Sequence, residues 1–148
     1  VSEAKKTEES HAKGHGSILD DIPQNMPALM RAQKLQKRVA KVGFDWPDIQ
    51  PVIAKVYEEL KEVEVEIEAN DRAKQEEELG DLLFVATNLA RHLGFRAEDC
   101  LRSANYKFER RFRGIEQVLE EQGKDMADCS LQDLDGIWDQ IKALEKKA

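Results

Sequence analysis

The sequence predicts an all-α fold: an antiparallel helical bundle preceded by a flexible N-terminal tail. Three observations carry this. Apolar residues recur at helical spacing through every long segment, and no convincing run shows the alternation of a strand. Of 148 residues, 41% are hydrophobic and 36% charged, which suits amphipathic helices with one apolar stripe and charged outer faces. The connections between the long helical stretches are short, so neighbouring helices return antiparallel. A chain of this length fits one domain with one sizeable core.

Val1 to Asp21 is polar, charged and contains Gly, Ser and His. It cannot bury enough apolar surface to offset the entropy of ordering, so residues 1–21 read as a flexible tail or interdomain linker and 22–148 as the helical domain. His11 and His15 stand there as HxxxH, but Gly14 and Gly16 argue against a helix that would align the two rings. The chain begins with Val rather than Met, so it is expected to be one part of a longer protein. Helix one starts near Pro27, a residue suited to a first helical turn, and ends before Gly43. The loop Gly43-Phe44-Asp45-Trp46-Pro47-Asp48 follows. Helix two runs from about Asp48 to Ala69 and breaks at Asn70-Asp71. Helix three covers about Arg72 to His92, with Gly94 placed to end it. Helix four spans roughly Ala97 to Gln122, closed by Gly123. Helix five begins at Ser130, a good N-cap, and continues to about Lys146.

The net charge of −7 disfavours DNA or RNA as a partner, since general nucleic-acid binders carry a basic surface. It leaves room for a phosphorylated small molecule, because a bound divalent cation reverses the local sign. Cys100 and Cys129 lack metal-ligand spacing and read as reduced thiols. No apolar run is long enough to span a bilayer. No signal peptide is evident, and a cytoplasmic location is expected.

The chemistry concentrates on helices two and three. On a helical wheel, Val52, Val56, Leu60, Val63 and Ile67 form one apolar stripe, with Glu59 and Glu62 together at its edge. Helix three repeats the layout. Its stripe of Leu79, Leu82, Leu83, Ala86, Leu89, Ala90 and Leu93 has Glu78 and Asp81 at the corresponding edge. Packed antiparallel, the two acidic pairs can face each other across a buried seam. Four carboxylates held close would repel one another and raise each other's pKa, a cost that a divalent cation removes. All-oxygen ligation suits Mg²⁺ or Mn²⁺ better than zinc. The same residues also read as solvated faces of charged helices. Glu58 points further from the seam, Glu66 lies one turn beyond Glu62, and Glu64, Glu68, Glu76 and Glu77 fit solvated faces. A di-iron bundle would want Glu-x-x-His pairs, and His92 lies far down helix three from Glu78.

Lys55 and Lys74 lie four residues before Glu59 and Glu78. They read either as surface i, i+4 salt bridges or as cations gripping phosphate beside a metal. Helix four holds Arg102, Lys107, Arg110, Arg111 and Arg113 against Glu109, a local positive charge that invites an anion. It also reads as a solvated basic face. Lys107 and Arg111 share one face. Trp138 and Lys142 are four apart on helix five. Trp138 fits either a core position or a platform for a base, with Lys142 at a phosphate. Trp46 and Phe44 allow the same two readings.

Lys55-Val-Tyr-Glu-Glu-Leu-Lys-Glu62 followed by Glu76-Glu-Glu-Leu-Gly-Asp-Leu-Leu-Phe84 resembles the EExxE…ExxD signature of MazG-type pyrophosphohydrolases. Met26-Pro-Ala-Leu-Met-Arg-Ala-Gln-Lys34, Val42-Gly-Phe-Asp-Trp46, Asn88-Leu-Ala-Arg-His92 and Ala104-Asn-Tyr-Lys-Phe-Glu-Arg-Arg-Phe112 extend the match. Together they resemble the catalytic second half of two-domain bacterial MazG, over about Leu19 to Lys142. The resemblance implies an all-α homodimer or larger oligomer. It also implies Mg²⁺-dependent cleavage of NTPs or dNTPs, with broad base tolerance, to nucleoside monophosphate and pyrophosphate. It implies metal binding by Glu59, Glu62, Glu78 and Asp81. Lys55, Lys74, Lys107 and Arg111 would hold the triphosphate, with Trp138 and Lys142 also matching. The stretch Val1–Asp21 resembles the interdomain linker of such proteins. The competing readings are a non-catalytic helical interaction module, or a narrower all-α enzyme such as a dUTPase or a phosphoribosyl-ATP pyrophosphohydrolase.

Overall fold

The computed structural model describes residues 16–147. These form five α-helices, a single 3-10 turn and no strand. The helices are α1 (Ala28–Ala40), α2 (Ile49–Glu68), α3 (Arg72–His92), α4 (Ala97–Glu121) and α5 (Leu131–Lys147), with the 3-10 turn at Met126–Asp128 before α5. The all-α expectation holds. His11 and His15 lie outside the described residues. No helix among those described is long and apolar enough to cross a membrane.

The described residues divide into two compact units, one up to Cys100 and one from Leu101 onward. In the first, α2 and α3 form the most extensive helix pair, and α1 packs on α3. Local chemistry sets the ends. Asp48 caps α2, accepting a hydrogen bond from the Gln50 amide at 3.2 Å, and Asp71 caps α3 by accepting from the Lys74 amide at 3.2 Å. Such caps satisfy amide donors that have no partner inside the helix. The turn between α2 and α3 is tight because Asn70 takes a left-handed backbone, φ 56°. The Asp71 amide then reaches back to the Glu66 carbonyl at 3.2 Å and the Asn70 amide to Ile67 at 3.1 Å, the paired bonds of a Schellman ending. Gly43, at φ 92°, ends α1 the same way and throws the Phe44–Trp46 loop off the helix.

Gln33 ties the beginning of α4 to α1. Its Oε1 accepts from the Ala97 amide at 2.8 Å while its Nε2 donates to the Phe95 carbonyl at 2.8 Å. Between Gly16 and Ile22 the chain makes turns held by Arg38 of α1, which is 1% exposed. The Arg38 guanidinium donates to the Ile18 carbonyl at 2.7 Å and pairs with Asp21.

The seam differs from expectation in one respect. Val52 is buried, and Val56, Val63, Leu82, Leu89 and Ala90 are half-buried, but Leu60, Ile67, Leu79, Leu83, Ala86 and Leu93 are exposed. The stripes are wider than the α2–α3 contact needs, so several of their apolar residues remain on the surface of the chain. Thr87, not an aliphatic residue, is the buried position of α3, its hydroxyl bonded to the Leu83 carbonyl at 3.0 Å.

In the second unit, α5 opens with a reciprocal cap. The Asp133 amide donates to Ser130 Oγ at 3.1 Å and the Ser130 amide to Asp133 Oδ2 at 3.2 Å, as the sequence led one to expect.

Candidate active site

The short α2–α3 turn makes the helices run back along each other, with Gln75 Nε2 donating to the Glu66 carbonyl at 3.0 Å. This pairing brings Glu59 level with the Glu78–Asp81 turn. One carboxylate oxygen from each of Glu59, Glu78 and Asp81 lies within 4.8 Å of the other two. Glu59 and Glu78 are half-buried and Asp81 is exposed. Desolvation pushes the Glu78 carboxyl above the ordinary glutamate value, and the negative charges of Asp81, Glu62 and Glu59 add to it. Glu62 is exposed and stands outside the trio, yet it is near enough to be felt by Glu78.

Lys55 joins the cluster from one turn earlier on α2. Its Nζ lies 3.1 Å from Glu58 Oε1 and 3.6 Å from Glu59 Oε1. The hydrogen bond to Glu58 is the main reason its pKa is raised, with the charges of Glu58 and Glu59 adding. Lys74 is exposed at the start of α3. The donor set is all carboxylate oxygen, which suits a hard divalent cation. Three like charges this close repel one another, and a cation among them reverses the sign of the interaction. The residues present therefore fit the metal that the sequence led one to expect.

Beside the trio opens a cavity of about 820 Å³ whose lining includes Lys55, Glu59 and Asp81. Its apolar wall comes from Leu35, Val39, Phe44, Trp46, Val52 and Phe84. The Phe44–Trp46 loop is fastened to the end of α3 by one carboxylate. Asp45 Oδ1 accepts from Arg91 Nη2 at 2.6 Å and from the Trp46 amide at 2.9 Å, and it shares a 2.8 Å hydrogen bond with His92 Nε2. The Arg91 hydrogen bond, more than any other contact, holds the Asp45 carboxyl below its ordinary value. Arg91 Nε also donates to Asn88 Oδ1 at 3.1 Å.

The remaining predicted binders belong to the second unit. Arg111 is half-buried. It donates through Nε and Nη2 to Glu145 Oε2 at 3.1 and 2.9 Å, and its guanidinium lies 5.4 Å from the Trp138 ring centre. Trp138 packs on Phe108, ring centres 5.6 Å apart, and Phe108 stacks on Phe112 at 6.2 Å. The hydrogen bond from Arg111 is the first cause of the lowered pKa of Glu145. Lys107 and Lys142 are exposed.

Sequence reasoning did not single out Gln36, Asp45, Asn88, Arg91 or Glu145 for a role. Gln36 carried a usable signal. It is polar, yet it falls on the α1 stripe, four residues after Ala32 and three before Val39. The partnerships of Asp45 with Arg91 and of Arg111 with Glu145 span 46 and 34 positions, and no local pattern announces them.

Among the described residues, which are helical throughout their regular structure, the carboxylate trio, Lys55 and the adjoining apolar cavity make up the candidate site. Residues 48–114 match the family model described as the MazG nucleotide pyrophosphohydrolase domain. The chain is 54% identical over 142 residues to the nucleoside triphosphate pyrophosphohydrolase of Escherichia coli (strain K12), covering 95% of this chain and 54% of that protein. It is 39% identical over 130 residues to the nucleoside triphosphate pyrophosphohydrolase/pyrophosphatase MazG of Thermotoga maritima, covering 88% of this chain and 50% of that protein. The chain is thus similar to MazG-type proteins along most of its length, and residues 48–114 match that family's model. It spans about half the length of these relatives.

Proposed function

We propose that this chain hydrolyses nucleoside triphosphates, ribo or deoxy, to nucleoside monophosphate and pyrophosphate, with Mg²⁺ held by Glu59, Glu78 and Asp81 and with Glu62 alongside. The observation that carries this reading is the meeting of three carboxylate oxygens within 4.8 Å at the lining of an apolar cavity that also contains Lys55. The family match and the names of the relatives support the same activity. Mn²⁺ offers the same hard-oxygen chemistry.

A bound Mg²⁺ supplies charge neutralisation on the phosphates and a more acidic water. The chain's own residues do the rest. Glu59, Glu78 and Asp81 fix the position of the charge and, by their mutual repulsion, favour its neutralisation. Lys55 Nζ, already drawn into the cluster by Glu58 and Glu59, is poised to trade a carboxylate for a phosphate oxygen and to steady charge on the leaving pyrophosphate. Glu58 or Glu62 is the candidate to accept the attacking water's proton. By the sequence resemblance, Lys74, Lys107, Arg111, Trp138 and Lys142 are proposed as further substrate contacts. A cytoplasmic setting, expected from the sequence, would supply triphosphate and magnesium together.

The exposed apolar residues Leu60, Ile67, Leu79 and Leu83 support a homodimer in which a second copy covers them. The test of the activity is a panel of NTPs and dNTPs scored for pyrophosphate with and without Mg²⁺. Release from several bases supports the reading. Release from dUTP alone or from phosphoribosyl-ATP alone would narrow it, and none at all would leave a non-catalytic helical module.

A further inference from the structure

Gln36 is a polar side chain 5% exposed, set in the wall of the cavity beside the carboxylate trio. Its Nε2 donates to the Phe84 carbonyl of α3 at 2.9 Å. That bond fixes which way the amide faces. Flipping it would set two oxygens against each other, because a carbonyl accepts and only the NH₂ end donates. Oε1 is therefore presented as an acceptor, and among the described residues no donor meets it. Buried acceptors are nearly always satisfied, so one left over in a cavity wall calls for a partner.

Helix geometry sets the scale. Asp81, Phe84, Val85 and Asn88 share one face of α3 and all line the cavity. At about 1.5 Å rise per residue, Asp81 and Asn88 are separated by ~10 Å, with Phe84, the residue that Gln36 grips, between them. The cavity thus runs from the charged trio along α3 to a wall of Phe44, Trp46 and Phe84, flat rings suited to a flat heterocycle.

We propose that this cavity seats the nucleobase of the substrate and that Gln36 Oε1 accepts a hydrogen bond from the base edge. The proposal rests on reading the carboxylate trio as the triphosphate site. It also gives a physical basis for the base tolerance that the sequence resemblance implies. Adenine, guanine, cytosine, uracil and thymine each carry at least one N–H on the pairing edge, so a lone fixed acceptor selects for a base without selecting which one. Gln36 is then a specificity-determining residue that rejects rings lacking any such donor.

The test compares kcat/KM for ATP, ITP and purine riboside 5′-triphosphate in the wild-type chain and in Gln36→Leu. ATP donates from its 6-amino group and ITP from N1–H, while purine riboside has no N–H on that edge. We expect the wild type to favour ATP and ITP over purine riboside triphosphate by about tenfold, the worth of one hydrogen bond to a buried group, with the loss largely in KM. In Gln36→Leu the three should fall within about threefold of one another. An equal decline for all three would mean that Gln36 only ties α1 to α3, and the proposal is overturned. If Gln36→Leu does not fold, the wild type decides alone: equal turnover of ATP and purine riboside triphosphate overturns the base seat while leaving the activity intact. Failure to release pyrophosphate from any of the three would instead remove the triphosphate site itself, and the base seat with it.

Discussion

Replacing Arg38 by Met asks whether the segment that brings Leu19 to the lining of the cavity is held by a buried guanidinium. Met keeps most of the apolar stem and removes the charged fork. Arg38 is 1% exposed and bonds the Ile18 carbonyl at 2.7 Å, and Leu19, the next residue, lines the cavity. A hydrogen bond from a charged donor contributes about 1.5–3 kcal/mol, and the Ile18 residue is only half-buried, so water partly replaces the lost donor. The Asp21 side chain is 38% exposed, so water takes over much of its half of the pair, and that contact adds only ~1 kcal/mol. The total is roughly 3 kcal/mol. At ~2–4 °C per kcal/mol for a chain of this size, the melting temperature read by circular dichroism should fall by about 6–12 °C. Arg38→Lys should recover part of this, since one ammonium cannot reproduce the fork. A fall of less than about 2 °C in Arg38→Met would mean that the guanidinium is dispensable and that the reasoning about this segment is wrong.

Three further outcomes follow from the same geometry. Because the Glu78 pKa is raised, the folded metal-free chain binds that proton more tightly than the unfolded one. Its stability should therefore decline as pH rises through the raised value. Glu78→Gln should flatten the decline in urea titrations, while the wild type with saturating Mg²⁺ should gain stability as pH rises; an identical profile in all three would contradict the cluster. The Asp45 carboxyl is held below its ordinary value of 3.8, so the loop clasp contributes fully above about pH 4 and is lost as pH falls through the lowered folded value. Trp46 fluorescence in a Trp138→Phe background should report that acid transition, and Asp45→Asn should abolish it. The wild type should sediment as a dimer and Leu83→Glu, at an exposed apolar position of α3, as a monomer with unchanged helical content; a monomeric wild type would contradict the proposed dimer.

The fold was largely legible because helices announce themselves locally. The caps at Asp48, Asp71 and Ser130, the left-handed residues Gly43 and Asn70, and the 3.6-residue stripes all lie within a few positions of what they control. The meeting of Glu59 with Glu78 and Asp81 was also legible, since a tight turn between two long helices leaves them only one way to pair. The depth of the seam was not. A stripe records that a face is apolar but not whether it is covered by the same chain, and so Leu60, Leu79 and Leu83 were expected inside and are exposed. The Asp45 clasp and the Glu145 partner of Arg111 depend on tertiary approach, which neither residue's neighbours reveal. Gln36 sat in plain view as a polar residue on an apolar stripe, but its meaning needed the Phe84 carbonyl that orients it.

The most direct test of the central claim is metal binding by the trio, independent of turnover. Titrating Mn²⁺ into the wild-type chain, Glu59→Gln and Asp81→Asn, with free ion read by electron paramagnetic resonance, should show uptake by the wild type that both variants lose or weaken at least tenfold. Equal uptake by all three would contradict the assignment of Glu59, Glu78 and Asp81 as the metal site.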